Sequence, residues 1–182
     1  DEAPPRPDRL NSTVIPPTFH GNKIPTVRVF DEKGSRTIGN DTQLYLCATW
    51  NSYVLDYLIR MRVTTTLNFF YLYQLPVPRL TEKDAAFRPI VERAARLICT
   101  TPEFDDLAQE IFSGQANAAS VGATVPAERA KLRAELDGLV AHLYGLTEEE
   151  FAHILTTFPL VSDEVKIAAH NAFRNVERGL VK

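Results

Sequence analysis

Residues 51–78 read NSYVLDYLIRMRVTTTLNFFYLYQLPVP, and how this stretch folds decides the architecture of the first half of the chain. Asn51 or Ser52 suits the cap of a helix running to about Arg60, because either side chain can accept from a free first-turn N–H. Val54, Leu55, Leu58 and Ile59 recur at helical spacing and give that helix one apolar face. Arg60 and Arg62 then lead into a polar tip made of Thr64, Thr65, Thr66 and Asn68. Residues 67–77 are aromatic and strand-like, and Pro76 and Pro78 stop the run because proline has no ladder donor. The stretch is expected to be a helix, a loop and a strand, with Phe69, Phe70, Tyr71 and Tyr73 anchoring the tip.

Toward the N-terminus, residues 1–11 are rich in proline and charge and read as an extended leader. Short strands are expected over 13–15 and 24–30, and a buried one over 42–48, with polar turns at 31–35 and 39–41. The fold class expected is therefore α+β: a small mixed or antiparallel β recognition half, residues 1–80, then a helical half, residues 81–182.

The helical half carries its own punctuation. Thr81 to Asp84 resembles a capping box before the stripe Phe87, Ile90, Val91, Ala94, Leu97 and Ile98, with Pro89 predicting a kink or a start near Arg88. Thr101-Pro102 opens a second helix with Phe104, Leu107, Ala108, Ile111 and Phe112 on one face. Residues 114–125 are small and patternless and read as a flexible linker. Pro126 opens a helix stopped by Gly145; Thr147 with Glu150 boxes the next, which Pro159 ends. Ser162 caps a last helix with Val165, Ala169, Ala172, Phe173 and Val176 inward.

At 182 residues, with 45% hydrophobic and 24% charged residues, the composition is that of a soluble globular chain able to bury a core. No apolar run approaches the roughly 20 residues of a membrane span, and no signal peptide is visible, so no membrane partner is expected and a cytoplasmic setting is. A start at Asp1 in place of methionine suggests a fragment of a larger protein. Cys47 and Cys99 lie in separate apolar settings and read as buried thiols. The histidines at 20, 142, 153 and 170 show no metal spacing, so no metal is expected.

Charge is uneven. Residues 1–80 hold nine Lys/Arg against seven Asp/Glu, and residues 81–182 hold eleven against sixteen, which places any nucleic-acid surface in the first half. Catalytic motifs are missing: there is no phosphate-cradling glycine loop and no Gly-x-Ser-x-Gly. Glu148, Glu149 and Glu150 are first-turn acids explained by the helix dipole. Glu164 and Lys166 resemble the tail of a metal-dependent nuclease motif without its upstream acid. The tip has the right donors for DNA. Arginine reads guanine edges, asparagine reads adenine, and threonine meets a phosphate or a thymine methyl.

Two segments carry a family resemblance. Residues 51–78 resemble the signature of Asn-Ser, an apolar helix, arginine, then Leu-or-Phe-Pro-x-Pro found late in the target-recognition regions of bacterial restriction–modification enzymes, the single-chain type II kind with an N6-adenine methyltransferase. Residues 128–151, ERAKLRAELDGLVAHLYGLTEEEF, look like the C-terminal helical hairpin of the same enzymes. The resemblance covers about a third to a half of the chain. It implies a specificity region, non-catalytic by itself, that reads double-stranded DNA for methyltransferase and nuclease domains of the same parent chain. S-adenosylmethionine is expected in the missing methyltransferase domain and no cofactor in this one. DNA contacts are expected from Arg60, Arg62, Thr64, Thr65, Thr66 and Asn68, with Lys23 and Arg36 from earlier loops. The Thr64–Thr66 run carries less charge than is usual for such loops. Asp137, Tyr144 and Gly145 are expected to hold the hairpin together. The alternatives are a helical docking module of a larger enzyme, which touches no DNA, and a nuclease built on Glu164 and Lys166.

Overall fold

The computed structural model describes residues 12–15, 29–63, 68–114 and 116–182. Described in chain order are helices α1 (Asn40–Trp50), α2 (Tyr53–Arg60), α3 (Phe69–Leu72), α4 (Phe87–Ile98), α5 (Asp105–Phe112), α6 (Ala118–Val121), α7 (Pro126–Leu143), α8 (Glu148–Thr156) and α9 (Asp163–Glu177). The expected α+β class is corrected by these elements. Among the described residues β pairing is limited to one isolated bridge, Phe30 with Arg36, so they form no β recognition half.

Two of the expected strands are helical for a physical reason. Residues 42–48 lie inside α1, whose buried Leu44, Tyr45, Cys47, Ala48 and Thr49 form a helical stripe, not an alternation. Packing against α4 overrides the β preference of those side chains. Residues 69–72 turn helical because the Asn68 side chain accepts from Phe70 N at 3.0 Å, capping the turn. Pro76 and Pro78 follow as an extended strap held by tyrosine hydroxyls. Tyr45 donates to the Pro78 carbonyl at 2.7 Å, and Tyr144 donates to the Pro76 carbonyl at 2.8 Å. Residues 13–15 are in no strand, and of 24–30 only Val29 and Phe30 are described. The turn at 31–35 forms as expected, with Asp31 Oδ1 accepting from Lys33 N and Ser35 N at 2.9 and 2.8 Å.

The helical half keeps its expected helices, but α4 follows Ala86 without a side-chain cap from the Thr81–Asp84 turn, and Ser162 precedes α9 without a side-chain cap bond. Phe87 begins α4, and Pro89 sits in its first turn, where a missing N–H costs little. Gly145 follows α7 with φ +68°, a conformation that glycine adopts without Cβ strain. Thr147 and Glu150 make the reciprocal box that starts α8. On α9, Val165 is 47% exposed, not inward. Between α5 and α7, residues 118–121 are helical and Ala123 is fully buried, its N–H bonded to Arg96 O at 2.7 Å.

Two apolar clusters hold the molecule together. One joins Leu44, Tyr45 and Ala48 of α1 to α4, α5 and the middle of α7. The other joins Tyr53, Val54, Leu55 and Ile59 of α2 to Phe151, Ile154, Leu155, Phe158 and Phe173. Both draw residues from either side of residue 80. α7 and α9 approach closely at Gly138, where an added Cβ would lie 2.8 Å from the backbone of Ala172 and Phe173. No described helix is long and apolar enough to cross a membrane.

Candidate nucleic-acid interface

The two motif segments meet in space. α2 starts with the Ser52 hydroxyl accepting from Leu55 N at 3.3 Å. Its first N–H, that of Tyr53, donates to Asp137 Oδ1 at 2.9 Å, from a carboxyl on α7 that is only 4% exposed. A buried acid facing a helix N-terminus satisfies a donor that has no intrahelical partner. Asn51 closes the end of α1 by donating to the Cys47 carbonyl at 2.7 Å, and it also grips the backbone of Ser12 at 2.8 Å. Burial pushes the Tyr144 hydroxyl well above its ordinary range, which keeps it a donor to Pro76. Thus the Asn-Ser helix is seated on α7, and the Pro-x-Pro strap is tied to the residue that ends α7.

What this frame presents lies between α2 and α3. Arg60 faces inward: its Nε is 3.2 Å from Asp56 Oδ1, and its guanidinium lies 4.5 Å from the Phe158 ring centroid. Arg62 is exposed and donates to the Gln74 carbonyl at 3.0 Å, spanning the base of the loop. Asn68 is exposed but its side chain is used as the α3 cap. Arg36 lies by the 31–35 turn, bonded to Asn40 and 5.3 Å from the Phe30 ring centroid. Lys23, Thr64, Thr65 and Thr66 lie outside the described residues. The structure therefore brings Arg62 and Asn68 to one tip and leaves Arg60 to a packing role.

Among the described residues, the side chains exposed at this tip are Met61, Arg62, Asn68, Phe70, Tyr73 and Gln74. Phe70 is 68% exposed and Tyr73 is 81% exposed, although the sequence had both as anchors; Phe69 and Tyr71 are the half-buried ones. Met61, beside Arg62, is 68% exposed. Tyr73 stacks on Phe69 with centroids 5.6 Å apart, and the Gln74 side chain donates to the Phe70 carbonyl at 3.1 Å. Arg62 has no carboxylate partner among the described residues.

Elsewhere the polar groups serve the fold. An open cleft of about 710 Å³ is lined by His142, Thr147, Glu148, Glu149, Phe173 and Glu177. Its acidic lining repels phosphate. Glu148 meets Arg174, whose hydrogen bond holds that carboxyl below the usual range, and His170 lies 3.2 Å away. Lys166 pairs with Asp163 at 3.5 Å within its own helix, and no described group of three His, Cys, Asp or Glu can hold a metal. Both cysteines are buried and unpaired, and burial pushes the Cys99 thiol up to about 11.

Compared with known proteins, the chain matches no family model, no curated protein and no solved structure.

Proposed function

We propose that this chain is a DNA-reading, non-catalytic region of a restriction–modification protein with an N6-adenine methyltransferase, which would supply S-adenosylmethionine binding from another part of the same parent chain. The observation that carries the reading is the joining of the two resembling segments. They are far apart in sequence, yet Tyr53 N bonds Asp137 and Tyr144 bonds Pro76, so they form one frame around one exposed tip. The tip bears an arginine without a carboxylate partner among the described residues, on the more basic half of the chain. Cationic and aromatic groups together suit nucleic acid better than they suit an acidic or aliphatic surface.

A second reading has an observation of its own. Leu160, Val165 and Ile167 are 57%, 47% and 59% exposed around the start of α9, which favours a helical docking surface for another part of a larger enzyme. The two readings separate in a salt titration of the full-length protein with a fluorescein-labelled 30-base-pair duplex. DNA recognition predicts affinity that falls steeply and log-linearly with salt. Binding that is absent, or indifferent to salt, would leave docking as the better account.

A further inference from the structure

We infer that Phe70 and Tyr73 engage DNA by stacking on or wedging between bases, while Arg62 and Asn68 are positioning residues that hold these rings outward. The inference rests on the DNA-reading proposal and assigns the contact to different side chains from those the sequence suggests. A four-residue helix such as α3 has no stability of its own in water. Here it is held by three side-chain bonds: Asn68 to Phe70 N, Gln74 to the Phe70 carbonyl, and Arg62 to the Gln74 carbonyl. These are the residue types suited to reading base edges, yet they are turned to local structure. What they hold outward is two rings that are 68% and 81% exposed.

Neither ring is there for the core. Tyr73 is backed by Phe69, and Phe70 meets Tyr71 edge-on with centroids 5.5 Å apart, so the rings are braced from behind with their outer faces in water. Phenylalanine has no donor or acceptor for a base edge; its ring can gain from DNA by stacking or by entering a base step. Apolar wedges used in this way partly unstack the step and kink the duplex. Stacking tolerates any base, because every base has a π-face. The chemistry predicted for this tip is therefore duplex distortion, with Arg62 adding positive charge beside it.

The test uses the full-length protein and two 30-base-pair duplexes of mixed sequence carrying a central 2-aminopurine, one fully paired and one with that base mispaired. Binding is followed by anisotropy and unstacking by 2-aminopurine fluorescence. The wild type is expected to bind the mispaired duplex more tightly, since its base is cheaper to unstack, and to raise the fluorescence. Phe70→Ala and Tyr73→Ala are each expected to weaken binding by about tenfold and to remove the fluorescence rise, with an unchanged salt slope. Both positions are exposed, so circular dichroism should be unaltered, and Phe70→Trp should restore the signal. If the wild type shows salt-dependent binding and the alanine variants match it, the aromatic contact is wrong and the DNA reading stands. If the wild type binds neither duplex, both fall.

Discussion

Replacing Asp137 by alanine tests the frame on which the functional reading is built. The carboxyl is 4% exposed and accepts the Tyr53 N–H at 2.9 Å, and Tyr53 is itself fully buried. Alanine leaves a donor at the start of α2 without this acceptor, in a place water reaches poorly. An unsatisfied buried donor costs about 1–3 kcal/mol, and loss of a helix cap costs about 1 kcal/mol in the same direction. Taking ~2 kcal/mol and a urea slope of ~2 kcal/mol per molar, the midpoint should fall by about 1 M. Asparagine keeps an oxygen at the same place and should lose less than half as much. The assay is equilibrium urea unfolding at pH 7, followed by far-UV circular dichroism, with tryptophan emission as a second probe from Trp50 at the end of α1. A double variant with Ser52→Ala should be non-additive, since both side chains serve the same helix start. The reasoning fails if Asp137→Ala moves the midpoint by less than about 0.2 M, because the bond would then carry almost none of the expected energy.

Further expectations follow from single contacts. Tyr144→Phe deletes the hydroxyl that holds the Pro76 carbonyl and should cost about 1 kcal/mol, with faster hydrogen exchange in the strap at Leu75 and Val77. Gly138→Ala places a Cβ against the backbone of Ala172 and Phe173, so α7 and α9 must separate; thermal melting should show a loss of about 1–3 kcal/mol. Cys47 and Cys99 should resist a disulfide-exchange reagent at pH 8 in the folded chain and both react in urea, because burial keeps each thiol protonated. The same thiol shift means that Cys99 favours the folded state below its ordinary pKa of 9, a contribution lost as pH rises toward about 11. Glu148 works in the opposite sense. Its folded pKa is depressed, so its contribution is present above the ordinary value of 4.5 and is lost as pH falls through the lower folded value. Glu148→Gln should therefore lower the melting temperature at pH 7, and the difference should shrink as pH falls below 4.5.

The helical half was legible because its ends are written in local chemistry. Thr147 with Glu150, Gly145 and the stripe from Phe151 to Phe158 each act within a turn or two, and local rules suffice for them. The first half was misread where tertiary packing decides. The 42–48 run has strand-like residues, but α4 offers a groove for a helix, and the burial of Leu44, Tyr45 and Ala48 rewards that choice. Residues 69–77 look like an aromatic strand until Asn68 and the two prolines are weighed together: one starts a helical turn and the others leave carbonyls for tyrosine hydroxyls, not for a sheet. The role of Asp137 was beyond local rules. The resemblance implied that Asp137 holds the hairpin together, but not that it accepts an N–H lying 84 residues earlier in the chain. The outward pointing of Phe70 and Tyr73 was hidden for the same reason, since a strand and a helical turn send those side chains to different sides.

The most direct test of the account replaces residues 62–74 of the full-length protein with a short glycine–serine turn and maps methylated adenines across the host genome. The replacement is predicted to abolish methylation at one defined sequence while binding of S-adenosylmethionine is retained. An unchanged methylation map, in a folded protein, would contradict the claim that this tip reads DNA.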